Sequence, residues 1–167
     1  MLSNLFCGPG DRPKLGWIAW SGFGGFLGIL AIEQIGRWIG LRHPDTLFLI
    51  GSFGATAVLV YGAPQAPFSQ PRNVIVGHCL SALVGVSALM IVGDQSFIAC
   101  PLAVSLAIAV MQFTGTVHPP GGATALIAVI GGDSVHQLGY TYALCPVGLG
   151  ACIMVGVACA VNNLGKN

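Results

Sequence analysis

Charged positions divide this chain into long apolar stretches. Leu15 to Ile32, Thr46 to Pro71, Asn73 to Gly93, Gln95 to Gly132 and Ser134 to Gly165 hold no Asp, Glu, Lys or Arg. A helix that crosses a bilayer needs about 20 apolar residues, so the first three stretches can each cross once and the last two hold more than one segment. The pattern predicts a helix over 15–38, a second segment over 46–61 interrupted at Gly51-Ser52-Phe53-Gly54, and a loop carrying Pro64, Pro67 and Pro71. A helix from Arg72-Asn73 to about Gly93 follows, then a turn at Gly93-Asp94-Gln95 and a helix over 97–114. Beyond it come a break at His118, a short segment over 122–130, a turn and polar linker from Gly131, and a last helix over 141–161. Met1 to Lys14 is polar and is expected outside the hydrocarbon. Leu15 to Ile32 reads as the first membrane helix rather than a signal peptide, because no small-residue cleavage site follows it.

The break carries the strongest local signal. His118-Pro119-Pro120-Gly121-Gly122 stands inside an uncharged run, where the prolines stop a continuous helix. Irregular backbone at membrane depth is tolerated only where it is buried in protein or lines a cavity, since lipid cannot satisfy the freed amides and carbonyls. This stretch is therefore a candidate substrate site.

The two halves share an ordered set of short matches. Leu30-Ala31-Ile32, His43-Pro44, Gly54-Ala55-Thr56-Ala57 and Val76-Gly77 with Val84-Gly85-Val86 occur in the first half. Leu106-Ala107-Ile108, His118-Pro119, Gly122-Ala123-Thr124-Ala125 and Val147-Gly148 with Val155-Gly156-Val157 follow in the same order. A duplication is expected, with repeats over about 15–93 and 95–163 in a single transmembrane domain of residues 1–167. If the middle segment of each half crosses, the repeats are inverted; if it dips in and returns, they are parallel and the chain has four full spans. Lysine and arginine placement bears only slightly on this choice. The reading adopted is an all-α membrane bundle with four full transmembrane helices, two short broken helices and inverted repeats.

Composition narrows the partners. Net charge is +1 and charged residues are 7 % of the chain, with no basic stripe for nucleic acid. Cys7, Cys79, Cys100, Cys145, Cys152 and Cys159 contain no Cys-x-x-Cys pair. Cys145, Cys152 and Cys159 recur every seven residues, as small residues do along a helix interface. Scattered histidines and unpaired cysteines suggest no metal and no cofactor. Glu33 is the one carboxylate within a span and is placed to pair with Arg37; with no catalytic motif, an enzyme is not expected. Gly24 and Gly28 form a small-xxx-small pair suited to close packing.

Paired broken segments at corresponding positions of two halves are a sequence pointer to a transporter's binding site. Helices beginning at Gly54 and Gly122 would present unpaired amides and a positive dipole end to a small anion. The substrate-binding candidates are Gly54, Ala55, Thr56, His118, Gly121, Gly122, Ala123 and Thr124, with the threonines adding hydroxyl donors; the competing reading is helix packing by small residues. His118 is a candidate to donate to an anion, relay a proton or cap the break. His78, well inside its helix, is a functional candidate or a satisfied core histidine. Arg72 and Asn73 are candidates for the pore mouth, Arg72 alternatively as an interfacial anchor. His43 and His136 fall in loops and carry no assigned role.

The chain resembles the HPP family of small integral membrane proteins through His118-Pro119-Pro120 followed by Gly121-Gly122-Ala123-Thr124-Ala125. The likeness extends to Gly51-Ser52-Phe53-Gly54-Ala55-Thr56-Ala57, to Pro71-Arg72-Asn73-Val74 with His78, and to Val161-Asn162-Asn163-Leu164. The resemblance implies a multi-pass transporter of nitrite, in a cyanobacterial or bacterial inner membrane or a plastid envelope, usually described with four transmembrane helices. It also implies that some members carry a soluble regulatory domain, for which these residues leave no room. Residue chemistry and resemblance both point to a small monovalent anion as substrate. Nitrate, formate or another small solute, and a sensor or assembly subunit without flux, are the alternatives. A homo-oligomer is expected, because so small a bundle has little interior.

Overall fold

A computed structural model describes residues 13–39, 49–93 and 96–165. The first half's His43-Pro44, Arg42, the Asp94-Gln95 turn, Cys7, Lys166 and the segment 1–12 lie outside the described residues. Helix α1 covers Leu15–Trp38, α2 Gly51–Gly62, α3 Pro71–Val92, α4 Ser96–Thr114, α5 Pro119–Ile130, α6 Gly132–His136 and α7 Ala143–Leu164. The last turn of α2 widens into a π-helix over Val58–Gly62, and a 3-10 turn at Pro67–Ser69 leads into α3. Four of these helices, α1, α3, α4 and α7, are long and apolar enough to cross a bilayer. At 12 residues, α5 is about 18 Å long, well short of a hydrocarbon core of roughly 30 Å. Helix α2 is equally short.

Local chemistry sets the ends. Pro71 opens α3 and Pro119 opens α5, each at a position whose amide needs no helical partner. Gly115, with φ of 64°, ends α4 in the left-handed region that glycine enters without strain. The sequence expectation was a helix starting at Gly54 and another at Gly122. Both start three residues earlier, at Gly51 and Pro119, because Ile50 and His118 are extended cap residues and, in α5, Pro119 and Pro120 fit the first turn. The polar linker after Gly131 contains α6, and the last helix runs over Ala143–Leu164 rather than 141–161.

Contacts fix the running directions. Gly77 faces Thr116 and His118, and Gly85 faces Ala125 and Ala128, so α5 runs beside α3 in the same direction. Arg72 at the start of α3 bonds Thr114 at the end of α4, so these two are antiparallel. Trp20 near the start of α1 bonds the Val161 carbonyl near the end of α7. Tyr61 at the end of α2 packs on Gly24 and Gly28, while Leu49 just before α2 shares a groove with Leu30 and Glu33. The starts of α1, α3 and α5 and the ends of α2, α4 and α7 therefore gather at one face. Successive segments alternate in direction.

Two cores hold the bundle. Ile32, Phe53, Tyr61, Tyr142, Met154 and Val161 form the larger one, around α1, α2 and α7. Ala88, Ala99, Ala103, Ala107 and Ala125 form a seam of small side chains that brings α3, α4 and α5 close together. Large apolar residues such as Leu15, Ile91, Phe97, Phe113 and Leu144 are exposed on the outside, as a lipid-facing surface requires. Glu33 and Arg37 pair at 3.0 Å as their spacing predicted. The cysteine stripe is corrected: Cys152 and Cys159 are exposed, and non-helical backbone at Cys145 takes it out of register with them.

Gly24 and Gly28 do pack closely, and their partner is the ring of Tyr61. A Cβ at Gly24 would lie 2.7 Å from Tyr61 Cδ1, and one at Gly28 would meet the hydroxyl and ring of the same residue. Gly28→Ala is expected to lower stability by about 1–3 kcal/mol, the usual cost of overpacking a closed core, read as an earlier unfolding midpoint in a denaturing-detergent titration. Gly22→Ala, where nothing lies within 4 Å of the new Cβ, is expected to leave the midpoint unchanged or raised.

Candidate functional site

The broken helices meet at a cluster of five polar side chains contributed by three elements. Ser52 and Thr56 come from α2, His78 from α3, His118 from the cap of α5 and Thr124 from its second turn. Their exposures are 1 % for Ser52 and 0 % for the other four. His78 stands seven residues into α3, about 10 Å from its start, and so at depth within the span.

Donor and acceptor counting orders the cluster. Nδ1 of His118 is 2.8 Å from the Phe68 carbonyl, which only accepts, so that nitrogen carries the proton. The neutral ring accepts at Nε2 from the Thr56 hydroxyl, 3.0 Å away. Thr56 has one proton, so toward His78 it accepts, from Nε2–H at 2.8 Å. Neutral His78 then accepts at Nδ1 from the Thr124 hydroxyl at 2.7 Å. Ser52 Oγ, 2.9 Å from Thr124 Oγ1, is a second acceptor for the Thr124 hydroxyl. The result is one directional chain, Thr124, His78, Thr56, His118 and the Phe68 carbonyl, with Ser52 beside its Thr124 end. The imidazole centroids are 4.8 Å apart and nearly perpendicular, and the Phe53 ring meets His78 edge-on at 5.5 Å.

Close backbone approach makes this possible. A Cβ on Gly77 would fall 2.7 Å from the Thr116 carbonyl and 2.9 Å from His118 Cβ. One on Gly121 would fall 2.6 Å from Ser81 Oγ. The break itself is closed by side chains of α3. Arg72 donates to the Thr114 carbonyl at 2.8 Å and Asn73 to the Val117 carbonyl at 2.9 Å. Gly121 N–H returns to the His118 carbonyl at 2.8 Å, and Pro119 and Pro120 have no N–H. Little of the expected amide cradle at the start of α5 is therefore left to offer an anion.

The candidates thus separate. Thr56, His78, His118 and Thr124 converge, and Gly121 lies buried against α3. Gly54, Ala55 and Ala123 are exposed on outward faces. Gly122 and Ala123 line an apolar groove of about 560 Å³ between α4 and α5, together with Ile108 and Leu126. Arg72 is exposed and Asn73 half-buried, and both cap carbonyls of the break. A recess of about 270 Å³, with Gln65, Gln70, Asn162 and Asn163 in its lining beside apolar residues, opens where α2 and α7 end. Neither groove is lined by the five cluster residues. Residue reasoning passed over Ser52 as part of an interruption, and over the Phe68 carbonyl and the close contacts of Gly77. The Gly77-His78 adjacency was the available signal for the last.

Comparison with known proteins adds the family context. The family described as "HPP, transmembrane region" matches residues 11–167. A transmembrane protein of Dictyostelium discoideum is 44 % identical over 158 residues, covering 93 % of this chain and 50 % of its own length. A second from the same organism is 43 % identical over 157 residues, covering 92 % of this chain and 54 % of its own. The chain thus spans about half the length of these curated relatives. No solved structure matches it.

Thr56→Val keeps the shape of the side chain but leaves ring nitrogens of His78 and His118 without their partner. The expected loss is about 1–3 kcal/mol, the cost of an unsatisfied buried polar group. Thr56→Ser is expected to retain most of the stability, and comparing unfolding midpoints of the two variants in detergent checks the assignment.

Proposed function

The chain belongs to the HPP family of transmembrane regions, and we propose that it acts as a membrane transporter for nitrite or a similar small monovalent anion. The carrying observation is the Ser52, Thr124, His78, Thr56 and His118 cluster, which joins two short helices inside a multi-pass bundle. Short helices meeting at depth are how transporters build sites within a bilayer. The hydroxyls and imidazoles supply polarity without fixed charge. That suits a weakly hydrated monovalent anion, which must bind and still leave. A phosphate-like dianion would call for arginines, and Arg72 is engaged with the Thr114 carbonyl at the end of α4.

The arrangement of halves supports a route for movement. Helices α1 to α3 alternate in direction, and α4, α5 and α7 alternate in the opposite sense. Helix α1 packs on α7, α4 packs on α3, and α2 meets α5 between them. We read the halves as inverted repeats, in which rocking of one against the other opens the cluster first to one face and then to the other. In this structure the cluster is closed, and its members are bonded to one another. That satisfaction also favours a second reading, in which the cluster locks a sensor or assembly subunit that passes no solute.

Nitrite uptake into proteoliposomes separates the two. Uptake above empty vesicles is expected, with a fall of about tenfold or more in Thr124→Val, equivalent to losing one interaction of about 1.4 kcal/mol in the rate-limiting state. Folded protein that gives no uptake of nitrite, nitrate or formate moves the locking role ahead.

A further inference from the structure

We propose that Thr124, His78, Thr56 and His118 form a proton site and relay, which takes up one proton per transport cycle and passes it between the Thr124 end and the Phe68 end. The coupling to an anion rests on the transport reading above; the order of the relay rests on geometry alone. Every neighbour from Thr124 to the Phe68 carbonyl is already within 3.0 Å, and each donor faces an acceptor.

The transfer balances. A proton delivered to Thr124 Oγ1 lets Thr124 hand its own hydroxyl proton to Nδ1 of His78. His78 is then an imidazolium. It releases the Nε2 proton to Thr56 as Thr56 gives its proton to Nε2 of His118, which moves the charge to the second ring. Loss of the His118 Nδ1 proton to water, at the end marked by the Phe68 carbonyl, returns the cluster to neutrality with the tautomer of each ring exchanged, and tautomer exchange of the two neutral rings resets it for the next cycle. Phe68 is 43 % exposed, so this end lies near a face of the bundle. Every group along the path gains one bond to hydrogen and loses one.

Each threonine also has a backbone acceptor for its hydroxyl proton. Thr56 Oγ1 is also 3.1 Å from the Ser52 carbonyl, and Thr124 Oγ1 is 3.3 Å from the Pro120 carbonyl. When a ring nitrogen is protonated it can no longer accept. The hydroxyl proton then turns to the carbonyl four residues back, and its oxygen faces the cation. An added proton is held this way by rotation of a hydroxyl, with no shift of heavy atoms.

The surroundings leave the histidines as the groups that change charge. Among the described residues, no Asp, Glu, Lys or Arg hydrogen-bonds either ring. Among the described residues, the charged or titratable groups on adjacent elements include Arg72 on α3, bonded to the Thr114 carbonyl, Glu33 with Arg37 on α1, bonded to each other, and Asp133 and His136 on α6, the latter at the Val129 carbonyl. Tyr142 donates to the Thr124 carbonyl, Tyr61 donates to the Met154 carbonyl, and Cys79 follows His78 toward Gly148 on α7.

Two measurements test the relay. In ¹⁵N spectra of histidine-labelled protein in lipid, His78 is expected as the Nε2–H tautomer and His118 as the Nδ1–H tautomer. The same tautomer on both rings overturns the order, whatever the protein transports. In proteoliposomes with an entrapped pH dye, nitrite uptake above empty vesicles is expected to rise several-fold with an inward proton gradient and to acidify the interior. Thr56→Val is expected to abolish both effects and Thr56→Ser to restore them. Nitrite uptake that ignores the gradient and carries no proton overturns the relay but leaves the transport reading standing. Absence of any uptake by folded protein removes the transport reading and the coupling with it.

Discussion

One hydroxyl oxygen holds the centre of this structure. Thr56 Oγ1 lies within 3.0 Å of ring nitrogens from two histidines on separate elements, and lipid offers neither ring an alternative partner. A polar group buried without a partner costs several kcal/mol in a medium that cannot hydrogen-bond, so histidines at this depth require helix α2 to arrive with its hydroxyl in place. The same constraint governs the break between α4 and α5. Its carbonyls at Thr114 and Val117 are met by Arg72 and Asn73, and the amide of Gly121 by the His118 carbonyl. The irregular backbone is satisfied here because α3 supplies its partners.

That supply depends on small residues along α3 and its neighbours. Gly77 and Gly85 bring α3 against the break and α5, and the alanine seam at Ala99, Ala103 and Ala107 lets α4 close on both. Packing of this kind drives association where apolar burial cannot, since lipid tails are as apolar as leucine. Side chains larger than hydrogen at Gly77 would push His118 away from Thr56, so the glycine and the histidine beside it act as one device.

The long helices were legible because charge marks their ends: the stretches bounded by Lys14, Arg72 and Asp133 correspond closely to α1, α3 and the α4–α5 run. Thr56, His78, His118 and Thr124 were legible because polar residues inside apolar runs need a reason. Which neighbours would join them was not. At about 100° per residue, Gly54 stands roughly 200° from Thr56, and Ala123 about 100° from Thr124, so each turns outward while its threonine turns in. Reading the Gly-Ala-Thr-Ala tetrapeptides as whole contact surfaces ignored that rotation. Ser52 is on the inward face with Thr56, four residues away, and was hidden inside what looked like an interruption. The Phe68 carbonyl belongs to the backbone, and no residue type announces it.

The absence of fixed charge is the property that ties architecture to chemistry. A permanent cation at this depth would hold an anion too tightly for release, and a permanent carboxylate would repel it. Two neutral imidazoles joined through a threonine avoid both, and they gain a positive charge only when a proton arrives. In the proposed cycle the anion and the proton then favour each other's entry, and the pair crosses the low-dielectric interior with no net charge. In that cycle, opening separates α2 and α3 from α5, which means parting Thr56 from His118, Ser52 from Thr124 and His78 from Thr124. An imidazolium at His118 no longer accepts from Thr56, and Thr56 has the Ser52 carbonyl within its own helix as its next acceptor. Protonation thereby turns the Thr56 proton inward on α2 and changes the bond that joins the two halves. The step that supplies the charge is also the step that alters the latch.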